Sequence, residues 1–330
     1  MTPVFIFSLP RAGSTLLQRM LSKSGEISTV NEPWILLPLL YALKEEGAYS
    51  EYNHRVMCYA IDDFCNKMPN GKEDYLSEVH DLVLNLYKKA SAQSTRYFLD
   101  KTPRYHVVSG TIMDMFPEGK FIFLWRNPLA IIASIIDTWG RGKWNVYISH
   151  IDLYAGLEEL IEVFKKNRNN ACVVHYEDLL KQPVAELEKL SSYLSLELGQ
   201  EPLSLSQDDE LRGKMGRDRS MKMGDPSGAV KYKEISDEPL SKWKRTLSSP
   251  IRKAWCRRYL KWIGPDRLKI MGYDYDVLMK ELDEIPLSFD HLFSDCARIV
   301  GSVVYSLCEP IIFRDKVRRM MRCRRNYAHR

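Results

Sequence analysis

The sequence predicts an α/β fold, a central parallel sheet flanked by helices, with a helical, basic appendage at the C-terminus. Three observations predict it. Short, continuously apolar runs rich in β-formers recur between Pro3 and Leu179, as strands buried on both faces do. Helical spacing of apolar residues follows these runs, and strands separated by helices build parallel sheets. The chain then ends in a dense basic run, with eight Lys/Arg against one Asp from Arg314 to Arg330.

Taken in order, "PVFIFSL" (3–9) is the first strand. A turn through Pro10 and Gly13 follows. "STLLQRMLSKSG" then places Leu16, Leu17, Met20 and Leu21 at helical spacing, with Gly25 as its stop. Helical segments are expected at about 34–46, 53–67 and 73–91. "RYFLDKTP" (96–103) is a second strand ending in a polar turn. "KFIFLWRNP" (120–128) is a third, with "LAIIASIIDTW" a helix directly after it. "ACVVHYEDL" (171–179) is a fourth, again followed by helix. Residues 204–237 are polar, glycine-containing and poor in apolar periodicity, and a loop of that length is expected to be functional rather than idle. Helices return at about 239–247, 250–263 and 265–271. The expected division is a main domain, 1–276, and an amphipathic, then basic, appendage, 277–330.

A chain of 330 residues accommodates one large α/β domain with such an appendage. Hydrophobic and charged contents of 45% and 28% exclude collagen-like, low-complexity and wholly disordered classes. The net charge of +5 resides in the tail, because the first 313 residues carry 40 of the 48 basic and 42 of the 43 acidic side chains, a net of −2. This argues against a nucleic-acid-binding body. Seven cysteines are scattered (Cys58, Cys65, Cys172, Cys256, Cys296, Cys308, Cys323) without a C-x-x-C pair, so reduced thiols and no zinc site are expected. No basic n-region precedes the first apolar run, and the late run "IVGSVVYSLC" (299–308) falls short of the roughly 18 apolar residues of a membrane span. A cytoplasmic location is expected.

The opening loop carries the first chemistry. A strand that turns sharply into a helix aims backbone N–H groups and the positive end of the helix dipole at one point, which suits a phosphate. A nucleotide-triphosphate loop adds a lysine after its last glycine. Here Ser14 and Thr15 follow Gly13, and the fixed charge at the loop's mouth is the forked guanidinium of Arg11. The turn is therefore P-loop-like without being a triphosphate loop. Further on, Arg126 ends a buried strand, and Ser134 lies eight residues later, a little over two helical turns. Taken alone, a serine among isoleucines either bonds its own backbone or meets a ligand.

Together, "PRAGSTLL" after an N-terminal strand and "WRNPLAIIAS" after a later one resemble the two cofactor signatures of sulfotransferases that use 3′-phosphoadenosine-5′-phosphosulfate (PAPS). The likeness is closest to the branch that includes tyrosylprotein sulfotransferases and many bacterial enzymes, and it covers about residues 3–276. The resemblance implies that Arg11, Ala12, Gly13, Ser14, Thr15 and Leu16 hold the 5′-phosphosulfate, and that Arg126 and Ser134 hold the 3′-phosphate. Glu32, in "VNEPW", has the spacing of that branch's catalytic glutamate, 21 residues after Arg11. Lys101, in "DKTPRY", matches a lysine that steadies the sulfuryl group, and Arg11 faces the same group. Ser241 and Lys242, in "PLSKWKRTLS", match a late cofactor-contacting element, and "MGYDYD" (271–276) resembles the close of the catalytic domain. Tyr232 is either a stacking partner for adenine or an exposed loop tyrosine. Glu32 is equally placed to open a helix, and Glu177 and Asp178 are read as helix starts.

The implied cofactor is PAPS, with adenosine 3′,5′-bisphosphate as product and no metal. The implied acceptor bears a hydroxyl, on a glycan or glycolipid first, with a small molecule or a tyrosyl side chain as alternatives. A kinase-like phosphotransferase is the competing class; the missing loop lysine and the 3′-phosphate signature oppose it. Trp139 and Trp144 flank "TWGRGKWN" and suit either sugar contact or packing. The tail suits an anionic membrane surface at the inner face, or packing on the body or on the second copy of a homodimer.

Overall fold

The computed structural model describes residues 1–48, 50, 52–92, 95–198 and 238–308, with side chains at the two later margins described from 240 to 302. The expected Tyr232 contact and the basic end of the tail lie outside the described residues.

Five parallel strands form one sheet: β1 (Thr2–Phe7), β2 (Ile27–Thr29), β3 (Tyr97–Asp100), β4 (Lys120–Trp125) and β5 (Ala171–His175), in the order β2-β3-β1-β4-β5. The α/β class with a flanked parallel sheet is thus as the sequence predicts. Central β1 aligns Val4 with Leu99 of β3 and Phe5 with Phe121 of β4. Its residues from Val4 to Phe7 are at most 1% exposed, which explains the uninterrupted apolar run. Phe5 and Phe7 stack on Phe121 with ring centroids 5.8 and 5.9 Å apart, so one face of the sheet is an aromatic layer.

The strand absent from the sequence reading is β2. It has three residues, two of them hydroxylated, and forms an edge, so it carries no apolar run to detect.

Helices α1 (Ser14–Leu21), α2 (Leu36–Tyr41), α3 (His54–Cys65), α4 (Lys72–Ala90), α5 (Ser109–Met115), α6 (Pro128–Thr138), α7 (Leu157–Asn167), α8 (Tyr176–Lys181) and α9 (Pro183–Leu194) flank the sheet or join its strands. The helix expected over 34–46 is reduced to α2; Trp34, with a left-handed φ of 58°, stays outside its start, and the helix ends at Tyr41.

Beyond residue 237 lie α10 (Glu238–Thr246), α11 (Pro250–Ile270), α12 (Tyr275–Glu284) and α13 (Leu292–Cys308). α11 is interrupted at Gly264 (φ 75°, ψ 165°), a conformation essentially confined to glycine, so it comprises two helical segments on either side of that residue, as the reading of 250–263 and 265–271 expects. α13 is fastened to α11 by a buried two-point ion pair. Arg252 Nε and Nη2 donate to the Asp295 carboxylate at 2.8 and 2.9 Å, and neither residue is more than 1% exposed. The same guanidinium donates to the Thr246 and Gly142 carbonyls. Among the described residues no helix is long and apolar enough to cross a membrane.

Candidate active site

The charged and polar residues singled out in the sequence gather just past the carboxyl ends of neighbouring strands: Arg11 after β1, Glu32 after β2, Lys101 after β3 and Arg126 after β4. Ligands of open parallel sheets bind in the crevice outside these ends.

The loop after β1 is shaped by two residues with positive φ, Arg11 (70°) and Gly13 (99°). Gly13 is the N-cap of α1; its carbonyl accepts from Leu16 N and Leu17 N, and the N–H groups before these, at Ser14 and Thr15, have no acceptor within the helix. Arg11 Nε donates to Ser134 Oγ on α6 at 3.2 Å, and Arg126 Nη1 donates to the Arg11 carbonyl at 2.7 Å. Arg126 and Ser134, paired in the sequence reading by helix spacing, are thus each hydrogen-bonded to Arg11, the one at its carbonyl and the other at its guanidinium.

Arg126 is placed by local sequence. Asn127 caps α6, its side chain accepting from Leu129 N at 2.9 Å, and Pro128 takes the first helical position. The Arg126 guanidinium lies 4.2 Å from the Tyr176 ring centroid. Its Nε, buried, has no hydrogen-bond partner, and neither has Ser8 Oγ at the root of the loop. A buried cationic N–H without an acceptor is where a phosphate oxygen fits, so this donor set suits a phosphate group.

Glu32 and Lys101 form an ion pair. Lys101 Nζ lies 2.7 Å from Glu32 Oε1, with the two side chains 3% and 11% exposed. Trp34 Nε1 donates to the other oxygen, Oε2, at 3.1 Å. A scaffold behind the pair holds it in place. Gln18 on α1 donates to Thr29 Oγ1, Val30 O and Asn31 O, pinning the segment that leads to Glu32. Asp100, fully buried, accepts from Tyr87 at 2.6 Å, Thr102 at 2.9 Å and Tyr105 at 3.1 Å. Thr102 Oγ1 and Tyr105 Oη in turn accept from Trp34 N and Leu36 N. Burial pushes the Asp100 carboxyl up from 3.8 to about 6, against those three hydrogen bonds and the charge of Lys101.

Two contacts were not legible in the sequence. The ring of Tyr176 lies directly under Gly13. Glu177, read as a helix start and indeed in the first turn of α8, also accepts from Asn127 N at 2.9 Å and from Tyr273 Oη at 2.7 Å. Tyr273 belongs to the "GYD" element, which thus braces the loop after β4. Only an alignment of distant segments could have exposed either contact.

Of the remaining candidates, Ala12, Ser14 and Leu16 are buried and Thr15 half-buried in the loop and first turn of α1. Ser241 is exposed and Lys242 half-buried on α10, and neither is hydrogen-bonded to Arg11, Ser134 or Arg126. α10 itself docks on α6 through Thr246 Oγ1, 3.1 Å from the Asp137 carboxylate. Trp144 is buried and Trp139 is 42% exposed.

The family model described as "Sulfotransferase family" matches residues 3–200. Among curated proteins the chain is similar to Nodulation protein NoeE of Sinorhizobium fredii, 25% identical over 304 residues, covering 82% of this chain and 65% of that protein. It is also similar to Protein-tyrosine sulfotransferase 2 of Gallus gallus, 24% identical over 247 residues, covering 73% and 62%. The chain thus spans just under two thirds of the length of these relatives. Two solved structures share the fold, each with a TM-score of 0.53 at 23% identity. One is the sulfotransferase domain of the Synechococcus PCC 7002 olefin synthase, covering 83% of this chain and 95% of that one. The other is the sulfotransferase domain from the curacin biosynthetic pathway, covering 79% and 97%.

Proposed function

The chain belongs to the sulfotransferase family, and from that premise we propose that it is a PAPS-dependent O-sulfotransferase acting on an acceptor hydroxyl of a glycan or glycolipid, with residues 1–276 as its catalytic domain. The observation that carries this reading is the buried Glu32–Lys101 pair at 2.7 Å, set in the same crevice as Arg11, Ser134 and Arg126.

When bound, PAPS supplies the sulfuryl group. Arg126, with its unsatisfied Nε, and Ser134 are the donors for the 3′-phosphate. The loop Arg11–Thr15 and the start of α1 receive the 5′ end. Glu32 is the general base that takes the acceptor's proton, for a hydroxyl loses its proton far above neutrality and needs a base within hydrogen-bond reach. Trp34 Nε1 holds one carboxylate oxygen, which leaves the other, now on Lys101, to turn to the acceptor. Lys101 and Arg11 are the fixed cations where negative charge develops, and one such donor is worth on the order of 3 kcal/mol to a transition state. Ser241, Lys242 and Tyr232 complete the proposed cofactor contacts.

Two measurements test the proposal. Adenosine 3′,5′-bisphosphate at 100 times its dissociation constant is expected to raise stability by about 2.7 kcal/mol in a thermal melt. Selective stabilisation by ATP–Mg²⁺ instead would overturn it in favour of a phosphotransferase. Glu32→Gln is expected to lower sulfate transfer from PAPS by about 10²- to 10⁴-fold while keeping the bisphosphate-induced shift; full activity would remove Glu32 as the base. A second acceptor class, a tyrosyl hydroxyl, is favoured by the similarity to protein-tyrosine sulfotransferases. Labelled sulfate transfer into tyrosine peptides beside glycans decides between them.

A further inference from the structure

A cavity of about 430 Å³ opens between the 3₁₀ turn Val146–Ser149, the π-helical turn Asp152–Gly156, α11 and α13. Its wall is dominated by rings: Trp144, His150, Tyr154, Trp255 and Trp262, with Arg258 exposed at its edge. Trp144 and Trp255 meet edge to face with centroids 5.4 Å apart, as do Tyr154 and Trp262 at 4.6 Å, while His150 stacks on Tyr154 at 4.4 Å. These rings are not all closed into the core. Tyr154, Trp255 and Trp262 are half-exposed, and His150 is exposed.

The wall chemistry selects the occupant. Among the described lining residues only Val146 and Ile299 are aliphatic, so an alkyl chain finds few matching surfaces. A pyranose ring has apolar C–H faces and a rim of hydroxyls. Side chains with an apolar ring and a polar tip, joined by a guanidinium, match both parts at once. The volume falls within the range of small-ligand sites.

The turn that lines the cavity is tied by hydrogen bonds to the segment that follows Lys101. Asp152 Oδ1 accepts from Arg104 Nε at 3.0 Å and lies 2.7 Å from His106 Nε2. Both partners lie on the turn Pro103–Val107, directly after Lys101. Arg104 is within about 11 Å of Lys101 along the chain even if fully extended, and Tyr154 is two residues past Asp152.

We infer that this aromatic cleft is a subsite for a pyranose ring of the acceptor, set apart from the ring that bears the reacting hydroxyl. The inference rests on the glycan reading of the acceptor. A multi-ring acceptor then spans from the Lys101–Glu32 pair over the Arg104–Asp152 bridge to Trp255 and Trp262. The segment 139–170, which matches no motif, acquires a function in acceptor choice.

The full chain is titrated with cellotetraose, maltotetraose and chitotetraose, and separately with sodium dodecanoate, while tryptophan emission is followed. A saturable change with at least one tetrasaccharide is expected. Trp255→Ala is expected to weaken it about three- to tenfold. Arg258→Ala, at an exposed position that does not threaten folding, is expected to weaken it measurably. In turnover, both variants raise KM for an oligosaccharide acceptor at unchanged kcat and leave sulfation of p-nitrophenol unaltered. Saturation by dodecanoate alone, no saturable response to any tetrasaccharide, or unaltered saccharide binding in both variants overturns the inference. The bisphosphate melting shift is measured on the same samples. If it is present while saccharide binding is absent, only the subsite falls; if it is absent, the PAPS reading falls, and the titration still decides the cleft.

Discussion

Gly13 sits where no side chain is admissible: a Cβ there would lie 2.2 Å from Cδ2 of Tyr176, at a φ of 99° that L-residues rarely adopt. Gly13→Ala therefore displaces the ring on which the Arg126 guanidinium rests. The expected outcome is a loss of about 1–3 kcal/mol from backbone strain, read in a urea melt, together with a diminished bisphosphate-induced shift. The glycine was legible in the sequence as a turn residue. Its partner was not, because a contact across more than 160 residues leaves no local pattern. Asp100 offers a test by pH. Its carboxyl binds a proton more tightly folded than unfolded between about pH 4 and 6, so its contribution to stability is full below about pH 4 and is lost as the pH rises through about 6. In Asp100→Asn that loss disappears. The difference in stability between pH 4 and pH 7 should change relative to the parent by at most about 3 kcal/mol, measured as urea midpoints at both values. An unchanged difference would mean that Asp100 titrates at the ordinary carboxylate pH.

At the scale of elements, legibility followed burial. β1 and β4 announce themselves because both faces are covered, and α6 because Asn127 and Pro128 mark its start. β2 escaped because an edge strand of Ile-Ser-Thr is set by its neighbour β3, not by an apolar run of its own. The same holds for the late helices. Nothing in "SDCARIVGS" signals that Asp295 will be buried against Arg252, yet their two-point bond joins α13 to α11. Removing one partner leaves a buried, uncompensated charge, so Asp295→Ala should cost about 3–5 kcal/mol. Circular dichroism melts check this, and a variant as stable as the parent would show that the pair adds nothing to the docking of α13.

Across the whole molecule, the parallel order β2-β3-β1-β4-β5 does the work of assembly. Four adjacent strands each end in one candidate residue, so elements up to 115 residues apart in sequence converge without any local motif asking for it. The identity of these residues was readable from spacing and resemblance. Their mutual geometry was not, since Arg11 interposes itself between Arg126 and Ser134, and Trp34 selects which oxygen of Glu32 is left to Lys101. The acceptor side was least legible, because the aromatic cleft draws on the stretch after α6, on α11 and on α13, and no single stretch repeats its pattern.

The Arg252–Asp295 bond also sets a clock during biosynthesis. Arg252 leaves the ribosome 43 residues before its partner, a delay of about 2–9 s at ordinary translation rates. Until then α11 carries a cation with no counter-charge to bury, so the α11 face can close only late. The docking of α13 on α11 through this bond therefore follows the synthesis of Asp295.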